Sequence, residues 1–331
     1  MPHAPIDVLT IGNAIVDVLA RVDDQFLEAN RLTKGAMRLI EEPEAHRLYD
    51  LIGPSIIISG GSAANTAAGI ASLGGHAAFI GKVRDDQLGQ FFSHDIRAAG
   101  VSFDVAASRD GPSTARSFIL VTPDGERTMN TFLGACITLT PEDVSKIAVE
   151  QAHITYLEGY LWDPPAAQEA FVKAARLARA ARRKVALTLS DAFCVERHRK
   201  SFRELIARDI DIIFANENEL KSLYETKTFD EGLQRVRGDV ELAVLTRSEA
   251  GSVIARGDEF HVVEAENVEK VVDATGAGDL YAAGFLFGLT HGRPLAECGR
   301  LGSLAAAEVI SHLGARPQES LKSLARRAGL L

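Results

Sequence analysis

Residues 271–292 read VVDATGAGDLYAAGFLFGLTHG, and the small residues and single acid in this stretch decide how the rest of the chain is read. An apolar helix that needed only packing would avoid Gly276 and Gly278 near its start, because each glycine costs about 1 kcal/mol against alanine. Thr275 is placed to cap a following helix. The turn Gly276-Ala277-Gly278 would then present main-chain N–H groups without partners at the positive helix end, which is an anion site. Asp279 puts a carboxylate beside the same anion, where a loop serving only phosphate would avoid it. The pattern points to an acceptor hydroxyl whose proton the aspartate takes while a phosphoryl group is transferred. The plainer alternative is a carboxylate that merely complements the helix dipole, worth about 0.3–1 kcal/mol. It leaves the glycines unexplained.

The chain has 331 residues, 46% hydrophobic and 24% charged, an ordinary composition for a sizeable α/β core. A formal net charge of -9 argues against a general nucleic-acid binder, which needs concentrated Lys and Arg. Cys136, Cys194 and Cys298 are far apart, odd in number and without CxxC spacing, so neither a disulfide framework nor a structural zinc site is expected. The opening MPHAPIDVLTIGNAIVDVLA lacks a basic leader, Asp7 and Asp17 interrupt its apolar run, and no stretch reaches the roughly 20 apolar residues of a membrane span. The expectation is a cytoplasmic protein with small-molecule ligands and no membrane or nucleic-acid partner.

Short β-rich runs (IDVLTIG, SIIIS, AAFIG, HITYL, KVALTL, IDIIFA, ELAVLT) alternate with helical patterns such as AANTAAGIASLG and PAAQEAFVKAARLARAARR. This alternation predicts a mostly parallel sheet with helices on both faces. The segment RSFILVTPDGERTMNTFL breaks it and reads as a hairpin around TPDGE. We expect one domain over residues 1–331, with segments of about 16–40 and 101–133 forming a small β-rich lid. An edge extension of the main sheet is the alternative.

Two phosphate-loop patterns fail. GGHAAFIGKV has one residue too many between Gly75 and Gly81 for a Walker A loop, with Val83 where Ser or Thr is required, and GAGDLY has Tyr281 in place of the third Rossmann glycine. DATGAGDLYAAGFL instead resembles the C-terminal signature of the ribokinase-like (PfkB) family of carbohydrate and nucleoside kinases, and GGSAANTAAGIASLGGHAAFIGKVRDDQLG resembles its N-terminal signature. The resemblance implies a three-layer α/β/α fold with a β lid, ATP and Mg2+ as cofactors, Asp279 as base and the Gly276, Ala277 and Gly278 amides as anion hole. It places Asn216 and Glu219 of NENEL where the family orders magnesium and phosphate, Glu219 acting on the metal indirectly through water and phosphate. Those two residues also suit a helix capping box. Thr246, Arg247 and Gly251 of LTRSEAGS fall where the family shapes the ATP site, with Ser248 where it often has glycine. Activation by a monovalent cation such as K+, and monomer against homodimer, stay open.

The acceptor is read from the N-terminal half. GNAIVD places Asn13 and Asp17 at the end of the first strand, and an ionised Asp can accept two hydroxyls of a vicinal diol. GGSAAN puts Gly60 and Gly61 at a close backbone approach, or in an ordinary turn, with Asn65 one helical turn on. Within the family the chain most resembles the adenosine kinases, through GNAIVDVLARVDDQFLEANRLTKGAMRLIEE, GGSAANTA, YLEGYLW, LTLSDAFC, FANENE and DATGAGD in the same order. That resemblance assigns Asp17 and Asn65 to the ribose, Asn13 to a position near the base, Phe193 to stacking on the purine, Tyr160 and Leu133 to the apolar wall, and Arg127 to the lid. Phe193 as a core residue is the alternative. The implied reaction is phosphorylation of adenosine at its 5'-hydroxyl. A sugar kinase acting on fructose, ribose or a related sugar, and a nucleoside sensor without catalysis, are the competitors.

Overall fold

The computed structural model describes residues 5–331. Among them, thirteen strands follow in chain order: β1 (Ile6–Ile11), β2 (Ile15–Arg21), β3 (Met37–Leu39), β4 (Ser55–Gly60), β5 (Ala77–Ile80), β6 (Ala115–Val121), β7 (Arg127–Phe132), β8 (Ala152–Glu158), β9 (Lys184–Thr188), β10 (Ile212–Asn216), β11 (Leu242–Thr246), β12 (Ser252–Arg256) and β13 (Glu259–Val263). They form an eight-stranded sheet, ordered β13-β12-β11-β10-β9-β8-β1-β5, and a five-stranded sheet, ordered β3-β7-β6-β2-β4. From β5 to β11 the large sheet is parallel, and β12 and β13 extend it antiparallel.

Period-two alternation sends successive side chains of the parallel strands into different cores. Val8, Tyr156, Phe214 and Val244 face helices Ser62–Leu73, Ala277–Thr290 and Leu295–Ile310. Leu9, Leu157, Ile213 and Leu245 face helices Pro165–Ala180, Ala192–Asp209 and Glu217–Tyr224. This is the expected α/β/α layering. A third core lies behind the smaller sheet, where Val18, Phe118 and Leu120 pack on Leu27, Ala45 and Leu48. The small residues of helices 62–73 and 277–290 serve their packing: a Cβ on Gly69 would lie 2.6 Å from Ala283 Cβ.

The smaller sheet differs from the expected lid segments in two places. SIIIS, expected in the main sheet, is β4 and pairs antiparallel with β2, with Ile56 62% exposed. A short apolar run does not reveal which sheet it joins. Residues 101–114 stay with the main body: Val101 and Phe103 are buried in the first core and Ser102 bridges Ala78, so the hairpin contribution begins at Ala115.

Candidate active site

The carboxyl ends of the parallel strands, where open α/β sheets bind ligands, gather most of the polar residues singled out from the sequence. The helix that carries Asp279 spans Ala277–Thr290, and its N-cap is Gly276, not Thr275 as expected. Gly276 has φ +80, the left-handed region glycine favours, and a Cβ there would lie 2.7 Å from Ala315 Cβ. Thr275 is used otherwise: its N–H donates to Asp273 Oδ1 at 2.7 Å, and its hydroxyl accepts from Arg127. Of the three expected anion-hole amides, Ala277 donates to Ala274 O at 3.2 Å in a turn. Gly276 and Gly278 have no such main-chain partner, and a Cβ on Gly278 would meet nothing within 4 Å. The open amides are therefore those of the two glycines.

Asp279 is held from helix 62–73. Ser62 Oγ donates to Oδ1 at 2.6 Å and Asn65 Nδ2 to Oδ2 at 2.9 Å, while Thr66 Oγ1 donates to the Asp279 carbonyl at 3.2 Å. Burial raises the Asp279 pKa, and the two hydrogen bonds and the nearby Arg316 charge pull it back. Asn65 is buried with its Oδ1 unpartnered, an acceptor left over for a ligand.

Asp17 on β2 sits against the backbone of β4. A Cβ on Gly60 would collide with its carboxylate, and one on Gly61, at φ +96, would overlap Asn13 O. The close approach anticipated at Gly60-Gly61 is thus made by protein groups. Burial pushes the Asp17 pKa from 3.8 up to about 7, against the attraction of Arg316, with Asp279 raising it further and Arg127 lowering it.

Arg127, at the start of β7, pairs with the fully buried Asp273 carboxylate and reaches Thr275, so the smaller sheet touches the loop that precedes the glycines. Burial lowers its pKa to about 10. Asn13, expected near a base, is 2% exposed, and its side-chain amide donates to Glu158 Oε1 at 2.7 Å. It faces inward because a buried carboxylate needs donors. Leu133 is half-buried beside the turn whose Cys136 Sγ donates to Ala14 O at 3.2 Å. Tyr160 is half-buried and its N–H donates to Ser190 Oγ at 3.1 Å; burial and Asp191 raise its phenol pKa. Phe193, one residue into helix 192–209, is 73% exposed, which removes the alternative that it is core.

A second group lies further along the same edge. Asn216 caps helix 217–224 and exchanges hydrogen bonds with Glu219: Asn216 Oδ1 accepts from Glu219 N at 2.9 Å, and the Glu219 carboxylate accepts from Asn216 N at 3.0 Å and from Nδ2. The capping box weighed as the alternative is therefore formed. Burial raises the Glu219 pKa to about 7. Among the described residues no group of three or more His, Cys, Asp or Glu could hold a metal. With Glu219 already engaged, what fits is a magnesium ion carried mainly by phosphates and water, the usual arrangement for a nucleotide site. Thr246 ends β11, paired with Asn216 in register. Arg247 donates to Glu217 at 3.1 Å and stacks 4.2 Å over Phe229. Gly251 is buried with φ +78, where a Cβ would overlap Val263 O, so the backbone turn explains it. Ser248 adopts φ 50, the left-handed conformation that suits glycine.

Four residues at the centre were not singled out from the sequence: Ser62, Glu158, Asp273 and Arg316. Arg316 donates Nε to Ser59 O and Nη1 to Ala64 O, both at 2.9 Å, and burial lowers its pKa to about 10. Ser62 and Asp273 sit inside the two quoted signatures and Glu158 inside YLEGYLW, the available signal; Arg316 had none.

The chain is similar to known proteins over nearly its whole length. The crystal structure of adenosine kinase from Sinorhizobium meliloti matches at 58% identity and TM-score 0.92, covering 98% of this chain and 100% of that one. A probable sugar kinase from Rhizobium etli CFN 42 matches at 52% identity and TM-score 0.94, covering 99% and 100%. The 5-dehydro-2-deoxygluconokinase of Bacillus subtilis (strain 168) is 29% identical, covering 92% of this chain and 90% of that protein. The fold is ribokinase-like and the activity is that of a phosphotransferase with an alcohol acceptor. The family model described as pfkB family carbohydrate kinase matches residues 57–321, and the chain belongs to that family.

Proposed function

We propose that this kinase transfers a phosphoryl group from ATP to the 5'-hydroxyl of a purine nucleoside, adenosine foremost, giving ADP and AMP. One observation carries the reading: the Asp279 carboxylate, held by Ser62 and Asn65, stands at the same helix tip as the open amides of Gly276 and Gly278. Asp279 takes the hydroxyl proton, and the two amides receive charge on the moving phosphoryl oxygens. A bound magnesium ion would supply further charge neutralisation on the phosphates. Asp17 accepts from the ribose diol and Asn65 Oδ1 from a further hydroxyl. Arg127 brings positive charge from the smaller sheet, which acts as a lid that excludes water. Asn216, Glu219, Thr246 and Arg247 border the nucleotide.

A purine is favoured over a bare sugar by two things: an aromatic ring left in water at Phe193, which a flat base would cover, and the similarity to the Sinorhizobium meliloti adenosine kinase. The sugar-kinase reading keeps its own support in the similarity to the Rhizobium etli and Bacillus subtilis proteins. A coupled ADP-release assay across nucleosides and sugars tests the choice. Turnover with adenosine at micromolar concentration supports the proposal; turnover only with a sugar replaces it; no acceptor-dependent ADP leaves the sensor.

A further inference from the structure

We propose that Glu158 is a positioning residue for the transfer step, clamping together the segment that reads the acceptor and the helix tip that holds the base. The side chain stands at the end of β8 and is 1% exposed. Its Oε1 accepts from Asn13 Nδ2 at 2.7 Å and Asn13 N at 3.3 Å, and its Oε2 accepts from Ala63 N at 2.7 Å. Gly12 makes room, since a Cβ there would lie 2.8 Å from Glu158 Cδ. Helix 62–73 has no side-chain cap of its own, as its N-cap is Gly61. Glu158 therefore caps it from another element, through an N–H that would otherwise be an orphan. The capped residue, Ala63, lies between Ser62 and Asn65, the two donors to Asp279.

Three main- and side-chain donors compensate the buried carboxylate, whose pKa burial nonetheless raises to about 7. Both oxygens already accept from protein groups, which fits positioning better than a direct hold on the acceptor. One arm fixes Asn13, four residues before Asp17, and the other fixes the helix tip beneath Asp279. The nucleotide-side residues Asn216 and Arg247 touch neither arm.

The proposal rests on Asp279 as the base, and the test separates the two. The acceptor used is whichever the ADP-release panel identifies, and Asp279→Asn is run alongside: retained turnover there removes the base, whatever Glu158 does. Glu158→Gln keeps the shape but replaces one acceptor with a donor. We expect kcat to fall about 10²-fold, the effect of a small misplacement of reacting groups. Acceptor KM should rise and ATP KM should stay near wild type, while Tm falls by a few degrees because a buried donor now faces a donor. In a double-mutant cycle with Ser62→Ala, the losses in kcat should be less than multiplicative, because both act through the same helix tip. Unchanged kcat and acceptor KM, strictly multiplicative losses, or a loss of ATP affinity that matches the loss of acceptor affinity would overturn it. Should Glu158→Gln not fold, Asn13→Ser removes the Nδ2 bond and leaves the Asn13 N–H bond and the Ala63 cap: acceptor KM should rise by a larger factor than kcat falls, and an equal or larger fall in kcat counts against the proposal.

Discussion

Asp17 and Gly60 stand so close that a methyl group on residue 60 would meet all three outer atoms of the Asp17 carboxyl, the farthest at 2.8 Å. Gly60→Ala must therefore push the carboxylate off its present line, while the main-chain conformation of residue 60 has no need of glycine. Acceptor KM should increase at least about tenfold, the cost of a misplaced charge-assisted hydrogen bond. ATP KM should stay constant. Steady-state kinetics with each substrate varied checks the split, and an unchanged acceptor KM takes Asp17 out of the acceptor site.

Asp279→Asn keeps the shape, turns one acceptor into a donor and loses the base. Turnover should drop ~10²–10⁴-fold, the usual contribution of a general base. Equilibrium binding of ATP and acceptor should survive. The Asp279 pKa is raised, so the acid limb of kcat should lie above the range of an ordinary carboxylate, and the variant's residual rate should lack that limb. Near-normal kcat rejects the assignment.

Asp17 titrates at about 7 in the folded chain against an ordinary 3.8. Below that value one oxygen becomes a donor, so acceptor KM should climb as pH falls through about 7, and Asp17→Asn should give a flat profile at the high value. The stability effect has the opposite sense. A raised carboxyl stabilises the fold below 3.8, and this contribution is lost as pH rises through about 7. Asp17→Asn should then raise Tm by a few degrees at about pH 8 and give no gain near pH 4. Thermal melts of both proteins at the two pH values test this; equal shifts would contradict it.

The two glycines of the helix tip should fail differently. Gly276→Ala forces a left-handed alanine, about 1–2 kcal/mol, and drives its methyl to 2.7 Å from Ala315 Cβ, so Tm falls. Gly278→Ala meets nothing within 4 Å and should raise Tm slightly, as alanine for glycine in a helix, while reducing kcat, because its methyl crowds the space over the open amides. Melting curves beside kcat values separate these outcomes.

Phe193→Ala should cost little stability, since 73% of the residue is already exposed. For a nucleoside substrate KM should rise by about 1–3 kcal/mol equivalent, the range for stacking on a base. For any sugar the enzyme accepts, KM should not move. Equal effects on both would place the ring outside the acceptor site.

Most of the layered sheet was legible because strands such as IDVLTIG and IDIIFA are short, apolar and regularly spaced between helical patterns. SIIIS was misplaced because apolarity does not tell a main-sheet strand from β4, whose partner β2 begins directly after Asn13-Ala14. The Asp279 tip was readable from local grammar: glycines, an acid and an apolar helix. Its supports were not. Ser62 and Asp279 lie 217 positions apart, Glu158 and Ala63 95, Arg316 and Ser59 257, and no spacing rule reaches so far. Local grammar also misled at Thr275, whose hydroxyl was claimed by Arg127 from the smaller sheet.

Arg316 laces Ser59 and Ala64 to a segment 257 and 252 positions further along the chain. Since Ser62 and Asn65 reach Asp279 across 217 and 214 positions, this cluster exists only while distant parts of the chain stay docked, and a partial opening on either side should disperse it.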